Sequence, residues 1–179
     1  MRPMKPDPGI HVQTVRIPTE NGGVSALLLS PLAAPKNAAG ILWLHGGGYI
    51  AGMKEMVHAS RAIDLVKKFG VAVLSPGYRL ALKAPYPAAI DDCYAALLYL
   101  KAHAAAFGVR SDQLMVGGES AGVPAELDVY HSDMHAFDMM RPDDVLSIQA
   151  AEAFNTRFAD AQARFFAPQH EIQEERHDS

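Results

Sequence analysis

The pentapeptide Gly118-Glu119-Ser120-Ala121-Gly122 constrains the fold of this chain more than any other feature. It follows a short apolar run at 114–117, which is typical of a strand. Gly-x-Ser-x-Gly after a strand predicts a tight turn that exposes the serine hydroxyl, because side chains at the glycine positions would collide. Such a turn should lead into a helix. Here the sequence continues instead into residues 123–130, which have the pattern of another strand.

The sequence before the serine alternates predicted strands with predicted helices. Two strands joined by a Gly-Gly turn predict an N-terminal β-hairpin. They lie at 11–18 and 24–29. Further strands are predicted at 41–44, 71–74 and 114–117, and helices at 57–69 and 87–106. This order is typical of an α/β protein whose mostly parallel sheet is flanked by helices.

The sequence after the serine is shorter than a continued α/β alternation would need. It predicts one strand at 125–130, a loop and one amphipathic helix at about 143–166. With 179 residues in total, we expect a single domain over residues 1–168. We expect residues 169–179 to be a polar C-terminal tail.

Composition and charge narrow the classes of function. The net charge of -4 gives no reason to expect nucleic acid or an anionic membrane as a partner. No apolar run approaches the roughly 18 residues of a membrane helix, and the first eight residues lack the apolar segment of a signal peptide. We therefore expect a cytoplasmic protein. Cys93, the only cysteine, lies in a predicted helix, and we expect it to be a packing thiol rather than a nucleophile.

A nucleophilic serine needs an oxyanion hole, and a second glycine motif supplies a candidate. His45-Gly46-Gly47-Gly48 directly follows the apolar run 41–44. Three glycines after a buried strand leave backbone N–H groups free to face a developing negative charge. The alternative interpretation is a flexible loop with a capping or packing histidine. Because both glycine motifs follow predicted strands, we favour an oxyanion hole that serves Ser120.

The candidate general base is His135. It lies just beyond the predicted strand 125–130, where α/β folds place their active residues. His131, four residues earlier, leaves a metal-binding pair open as an alternative. No third ligand stands out and the segment has the pattern of a loop, so we expect neither a metal nor a cofactor.

Together these residues resemble the hormone-sensitive-lipase-like branch of the α/β hydrolases, which includes carboxylesterases and acetyl esterases. His45-Gly46-Gly47-Gly48 resembles its oxyanion loop, and Gly118-Glu119-Ser120-Ala121-Gly122 resembles its nucleophile elbow. Tyr78-Arg79-Leu80-Ala81, with the prolines and aspartates up to Asp92, resembles a stretch that is specific to this branch. Residues 123–130, followed by His135-Ala136-Phe137, resemble its last strand and catalytic histidine.

The resemblance implies a function and a role for each residue. It implies hydrolysis of small carboxylic esters through an acyl-enzyme on Ser120, with His135 as the base. Gly46, Gly47 and Ala121 would donate backbone N–H groups to the oxyanion.

The sequence departs from this family between the elbow and the last strand. In the family a helix, two further strands with their helices, part of the substrate lid and the triad acid lie there, and here nothing does. The two flanking strands would be about 14 Å apart in the sheet. Residues 120–124 span at most about 17 Å, and they would also have to return along the sheet. Both strands therefore cannot occupy their family positions.

We therefore expect a truncated α/β-hydrolase fold that lacks the family's triad acid. Open sheet edges would favour self-association. The alternative function is a catalytically inactive remnant or an interaction module of the same family.

Overall fold

The computed structural model describes residues 5–119 and 137–165. The strands are β1 (Ile10–Ile17), β2 (Val24–Pro31), β3 (Ala38–Leu44), β4 (Ala72–Pro76) and β5 (Val109–Gly118). The helices are α1 (Ala62–Phe69), α2 (Ala88–Ala102), α3 (Phe137–Met140) and α4 (Val145–Phe165), with 3₁₀ turns at Lys54–Ala59 and Ala105–Phe107. The predicted strand 125–130 and the predicted tail 169–179 lie outside the described residues.

The five strands form one mixed sheet in the order β1-β2-β4-β3-β5. β4, β3 and β5 are parallel, and the hairpin strands β1 and β2 continue the sheet in antiparallel pairing. The crossovers from β3 to β4 and from β4 to β5 run in opposite directions across the sheet. Since such crossovers are right-handed, their helices α1 and α2 lie on opposite faces. This architecture confirms the predicted α/β fold with its N-terminal hairpin.

Each face of the sheet has its own apolar core. Ile41 and Trp43 of β3 pack with α1 on one face, where Phe158 of α4 joins them. Leu42 and Leu44 of the same strand pack with α2 on the other face. Because successive side chains of a strand point to opposite faces, a strand buried on both sides must be apolar throughout. The continuous apolar run 41–44 is explained by this arrangement.

The predicted helix 57–69 is interrupted at Ser60. The Ser60 hydroxyl donates to the carbonyl of Val57 at 2.8 Å and accepts the N–H of Ala62 at 3.1 Å. One side chain thus bonds both the end of the 3₁₀ turn and the N–H of the first residue of α1. Helix α1 ends where predicted, at Gly70, whose φ of 69° is left-handed.

Strand β5 is longer than its apolar core suggested. It begins at Val109, five residues before the predicted start, because Ala38 pairs with Val109 across a register shift in β3. The preceding Gly108 lets the chain approach the N-terminal loop, since a Cβ there would lie 2.0 Å from the carbonyl oxygen of Pro35. Within the described ranges, no helix is both long and apolar enough to cross a bilayer.

Candidate active site

The two glycine motifs begin at adjacent strand ends. Leu44, the last residue of β3, pairs with Gly118, the last residue of β5. The pairing continues one residue further, where the N–H of Glu119 donates to the Leu44 carbonyl at 3.1 Å. The loop that starts at His45 and the residue that precedes Ser120 therefore lie side by side at the same edge of the sheet. In open α/β sheets this carboxyl edge is where ligands bind.

Close packing at the end of β5 explains the glycines there. A Cβ on Gly118 would lie 2.6 Å from the carbonyl oxygen of Leu44, and one on Gly117 would lie 3.1 Å from the Trp43 ring. A larger residue at Gly118 would push β5 away from β3. Gly118, the first glycine of the Ser120 motif, therefore allows β5 to approach β3, the strand that precedes the glycine loop.

The loop after β3 is a compact turn built around Gly47. Its φ is 119°, a conformation that L-residues rarely adopt, and a Cβ there would lie 2.1 Å from the Ala51 carbonyl oxygen. The Gly47 carbonyl accepts the N–H groups of Ile50 and Ala51, both at 3.1 Å. The glycine run is thus a hydrogen-bonded turn, and the interpretation as a flexible loop is not supported.

His45, at the start of the loop, is a buried, neutral side chain. It is 2% exposed, and its ring stacks on Tyr78 with centroids 4.1 Å apart. Nδ1 lies 2.9 Å from the Gly46 carbonyl oxygen, an acceptor, so Nδ1 carries the proton. Burial lowers the pKa of His45, although the Gly46 carbonyl opposes this shift. The packing role weighed for this histidine fits its position.

Hydrogen bonds to two carbonyls orient the N–H groups of Gly46 and Gly47. The Tyr78 hydroxyl donates to the His45 carbonyl at 2.7 Å, and burial raises the pKa of Tyr78 to about 12, so the donor persists. The Gly46 carbonyl is turned toward the His45 ring. In a trans peptide the next N–H points the opposite way. Both N–H groups therefore face away from the His45–Tyr78 stack.

An ion pair fixes the segment that supplies Tyr78. The Arg79 guanidinium contacts both carboxylate oxygens of Asp92, with distances from 2.8 to 3.1 Å, and the Arg79 backbone N–H donates to the same carboxylate at 2.8 Å. Asp92 is 1% exposed and lies on α2. The stretch after β4 is thereby tied to α2, and Tyr78 is held under the glycine loop.

Three of the predicted site residues, Ser120, Ala121 and His135, lie outside the described residues. The described residues that flank them in sequence are Glu119 and Phe137. Asp138, one of the acids close to His135 in sequence, is on α3 and forms an ion pair with Arg61, with Nη2 2.9 Å from Oδ2. Of the predicted site residues, the structure therefore describes Gly46 and Gly47, which both lie just beyond the end of β3.

Arg61 is a residue that the sequence motifs did not single out. Besides its contact with Asp138, its backbone N–H donates to Glu119 Oε1 at 3.3 Å. It precedes α1 directly, where the helix dipole disfavours a cation. A basic residue at a helix start is therefore the sequence signal that could have pointed to a specific acidic partner.

A small cleft lies beside Arg61, away from the glycine loop. Its volume is about 50 Å³, and its polar lining includes Arg61, Asp64, Asp138 and Ser147. Neither Gly46 nor Gly47 lines it, so it is separate from the space beside the glycine loop.

Metal-ligating side chains and the single thiol are the other reactive groups to locate. No group of three or more metal-ligating side chains occurs in the described ranges. The His131–His135 alternative lies outside them. Burial and then Asp92 raise the pKa of Cys93 to about 12, so its thiol remains protonated at neutral pH. This agrees with a packing role for Cys93.

The sequence profile of a family described as alpha/beta hydrolase fold matches residues 41–129, which include the glycine loop and the elbow. The chain has the fold of the α/β hydrolases. Bovine (Bos taurus) hormone-sensitive lipase is 32% identical over 96 residues, or 54% of this chain and 13% of the lipase. Acetyl esterase from Salmonella agona is 33% identical over 116 residues, or 64% of this chain and 35% of the esterase.

Solved esterase structures share the fold. A bacterial heroin esterase matches with a TM-score of 0.58 and 30% identity over 62% of this chain and 35% of that protein. A thermophilic carboxylesterase cloned from a metagenomic library matches with a TM-score of 0.58 and 31% identity, over 66% of this chain and 40% of that protein. These matches confirm the predicted resemblance. The chain spans only about a third of the acetyl esterase's length.

Proposed function

We propose that this chain hydrolyses small carboxylic esters through an acyl-enzyme intermediate on Ser120. His135 acts as the general base, and the backbone N–H groups of Gly46, Gly47 and Ala121 bind the oxyanion. The hydrolase family and its esterase relatives support this class of reaction. The acetyl esterases among those relatives favour a short acyl group.

One observation carries the proposal. The residue that precedes Ser120 is hydrogen-bonded to the residue that precedes the glycine loop, through Glu119 N–H and the Leu44 carbonyl. A nucleophile and its oxyanion donors must meet around one carbonyl carbon, within about 3 Å of each reacting atom. Adjacent strand ends supply this proximity through the backbone, and the Tyr78–His45 contacts fix the direction of the loop donors.

The proposed reaction has two half-steps. Ser120 Oγ attacks the ester carbonyl carbon while His135 takes the hydroxyl proton, and the oxyanion is bound by the three N–H groups. The tetrahedral intermediate collapses, the C–O bond to the alcohol breaks, and His135 returns the proton to the leaving alcohol. A water molecule then attacks the acyl-Ser120 in the same way and releases the carboxylic acid.

We expect slow turnover because the sequence has no counterpart of the family's triad acid. Loss of the acid alone can lower kcat by about 10⁴-fold. Asp138 is not free to take its place, since its carboxylate is paired with Arg61. This pairing, together with the short span relative to the esterases, favours the second candidate function, an inactive remnant or interaction module.

The test is hydrolysis of p-nitrophenyl acetate by the monomeric fraction, with Ser120→Ala measured in parallel. Our proposal predicts a slow rate that falls to background in Ser120→Ala. Cys93→Ala is the matched control, because it removes the only thiol and should leave the rate unchanged. Equal rates in the wild type and Ser120→Ala would refute the proposal in favour of the inactive remnant.

A further inference from the structure

Helix α2 carries apolar side chains on two opposite faces. One face packs on the sheet, where Ala96 and Leu100 are buried. The other face carries Ile90, Tyr94 and Leu98, which are 52%, 60% and 49% exposed. A surface helix normally has polar residues opposite its core face, and large exposed apolar patches mark contact surfaces. The outer face of α2 therefore has the character of a docking surface.

The outer face has a regular arrangement of charged and apolar residues. Asp91, Tyr94, Leu98 and Lys101 are all exposed and follow one another at intervals of three, four and three residues. Residues at this spacing form a single stripe along a helix, as in the seam of a coiled coil. This α2 stripe, which we define by these four residues, has an acidic end, two large apolar side chains in the middle and a basic end.

The α2 stripe is complementary to itself in the antiparallel orientation. Tyr94 and Leu98 lie two residues on either side of Ala96, and Asp91 and Lys101 lie five residues on either side of it. One twofold axis at the level of Ala96 would therefore place Tyr94 against the partner's Leu98. The same axis would place Asp91 against the partner's Lys101. A twofold interface repeats each contact, so both charge pairs would be satisfied.

The parallel orientation lacks this match. It would align Asp91 with the partner's Asp91 and Lys101 with the partner's Lys101, and like charges placed together disfavour a complex. The sequence of the stripe thus selects the antiparallel pair among the two ways in which identical helices can pack.

The exposed area is sufficient for a dimer contact. Tyr86, which lies just before α2, is 83% exposed and extends the apolar surface beyond Ile90. Covering these two residues with Tyr94 and Leu98 would remove on the order of 500 Å² of surface from each partner. The charged ends of the stripe bring this area closer to the about 800 Å² per partner that a stable interface buries.

We propose that this chain forms a twofold dimer in which the α2 stripes of two copies pack antiparallel. Burial of Tyr94 and Leu98 drives the association, and the Asp91–Lys101 pairs set its orientation. The contact lies on the outer face of a helix and is separate from the exposed edge of β5. The inference does not rest on the proposed function, since none of these side chains belongs to the candidate active site.

Dimerisation would also stabilise the support of the glycine loop. The inner face of α2 holds Asp92, whose carboxylate binds Arg79 and fixes the segment after β4. Because a partner that binds only the folded state shifts the folding equilibrium, the melting temperature should rise with protein concentration.

The first experiment is sedimentation velocity over a concentration series up to about 100 μM. It uses the full chain with Val116→Lys as the background, so that contacts through the β5 edge are disfavoured. We expect a concentration-dependent dimer, with a Kd that rises on the order of 100-fold in Leu98→Glu. Leu32→Glu is the matched control, because Leu32 is a 68% exposed leucine outside α2, and its Kd should not change.

The orientation is tested by charge reversal in the same background. Asp91→Lys and Lys101→Asp should each raise the Kd by about 10-fold, because each replaces two attractive contacts by two repulsive ones. The double variant restores opposite charges across the twofold axis and should return the Kd to the background value. Additive losses in the double variant would overturn the antiparallel register.

Hydrogen–deuterium exchange identifies what covers the helix. Peptides within 88–102 should exchange more slowly at concentrations where the dimer forms, and Leu98→Glu should abolish this difference. Leu98→Ser is the milder variant if Leu98→Glu does not give a cooperative melting curve. A protein that stays monomeric over the whole series would overturn the proposal. Exchange in these peptides that is independent of concentration would also overturn it, and would assign the outer face to another part of the same chain or to a different partner.

Discussion

At the scale of single residues, the geometry of the glycine loop is set by contacts that only a few side chains allow. Gly47 combines a positive φ with a carbonyl oxygen 2.1 Å from where its Cβ would stand. Gly48 also has a positive φ, of 59°, but nothing lies within 4 Å of its Cβ position. Alanine at position 48 would therefore cost only backbone strain, whereas alanine at position 47 would add a steric collision.

Gly47→Ala should displace the Ala51 carbonyl and with it the turn that aims the loop N–H groups. We expect Ser120-dependent hydrolysis to fall by on the order of 100-fold, as when one oxyanion donor is lost. Gly48→Ala should cost only about 1 kcal/mol of backbone strain and should retain most of the rate. Hydrolysis assays on both variants, after a melting curve for each, decide the matter. Equal losses would contradict the role given to the Gly47 contact.

The buried carboxylate of Asp92 provides a second test at this scale. Asp92→Asn removes the charge that faces Arg79, and we expect the melting temperature to fall by about 5 °C. Asp91, the adjacent residue, is exposed. Asp91→Asn is therefore the matched control and should melt within about 1 °C of the wild type. Calorimetry of the wild type and the two variants measures the three melting temperatures. A similar drop for both variants would mean that the Arg79–Asp92 pair contributes no more to stability than the exposed Asp91.

The Cys93 thiol predicts a specific pH dependence. Its pKa rises from 9.0 to about 12, chiefly through burial, so the folded protein holds this proton more tightly than the unfolded chain. The resulting stabilisation is complete below pH 9 and is lost as pH rises from 9 toward 12. The stability of the wild type relative to Cys93→Ala should therefore decline over this range. Urea unfolding of both proteins from pH 8 to 11 measures it, and a constant difference would contradict the burial of the thiol.

The position of the glycine loop at the end of β3 could be predicted from the sequence, because the apolar run 41–44 directly precedes it. The ion-pair partners of individual charged residues could not be predicted from the sequence. The sequence shows Asp138 only as an acid near His135, and its contact with Arg61 joins residues 77 positions apart. Such pairs depend on how elements pack, which a single sequence does not specify.

At the scale of elements, the end of the described sheet is the most informative feature. Within the described residues, β5 pairs only with β3 and stands at the edge of the sheet. Its Val116 side chain is 44% exposed. An edge strand with exposed apolar side chains offers unpaired backbone groups to another chain. This supports the prediction that the protein associates with itself through its sheet edge.

Val116→Lys should reduce that association, because a charge on an edge strand disfavours pairing. Ile148→Lys is the matched control, since Ile148 is 45% exposed but lies on α4. Sedimentation velocity over a concentration series should show less dimer or higher oligomer for Val116→Lys only. A strictly monomeric wild type would refute the predicted self-association, and an equal effect of both variants would place the contact elsewhere.

Element boundaries followed from the sequence where they depend on local chemistry. Gly70 ends α1 as predicted, and the apolar run 41–44 lies within β3. The break at Ser60 was not predicted, because the apolar spacing of 57–69 continues through it. A serine that bonds backward and forward to the backbone overrides that spacing. The early start of β5 depends on pairing with Ala38, a contact between strands distant in sequence.

At the scale of the whole molecule, the described strands hold half of the proposed esterase site. β3, β4 and β5 position the glycine loop, the Tyr78–Arg79 stretch and the residue before Ser120. The sequence motifs could predict this half because each motif follows its own strand. They could not predict that Asp138 pairs with Arg61, since that contact depends on how distant elements pack.

We expect these strand ends to assemble a working nucleophile. The test is rapid mixing with p-nitrophenyl acetate, followed by acid quenching and peptide mass spectrometry. We expect a burst of p-nitrophenol and an acetyl group on the peptide at Ser120, absent in Ser120→Ala and strongly reduced in Gly47→Ala. No acetylation of Ser120, or equal labelling of Ser120 with and without Gly47→Ala, would contradict it.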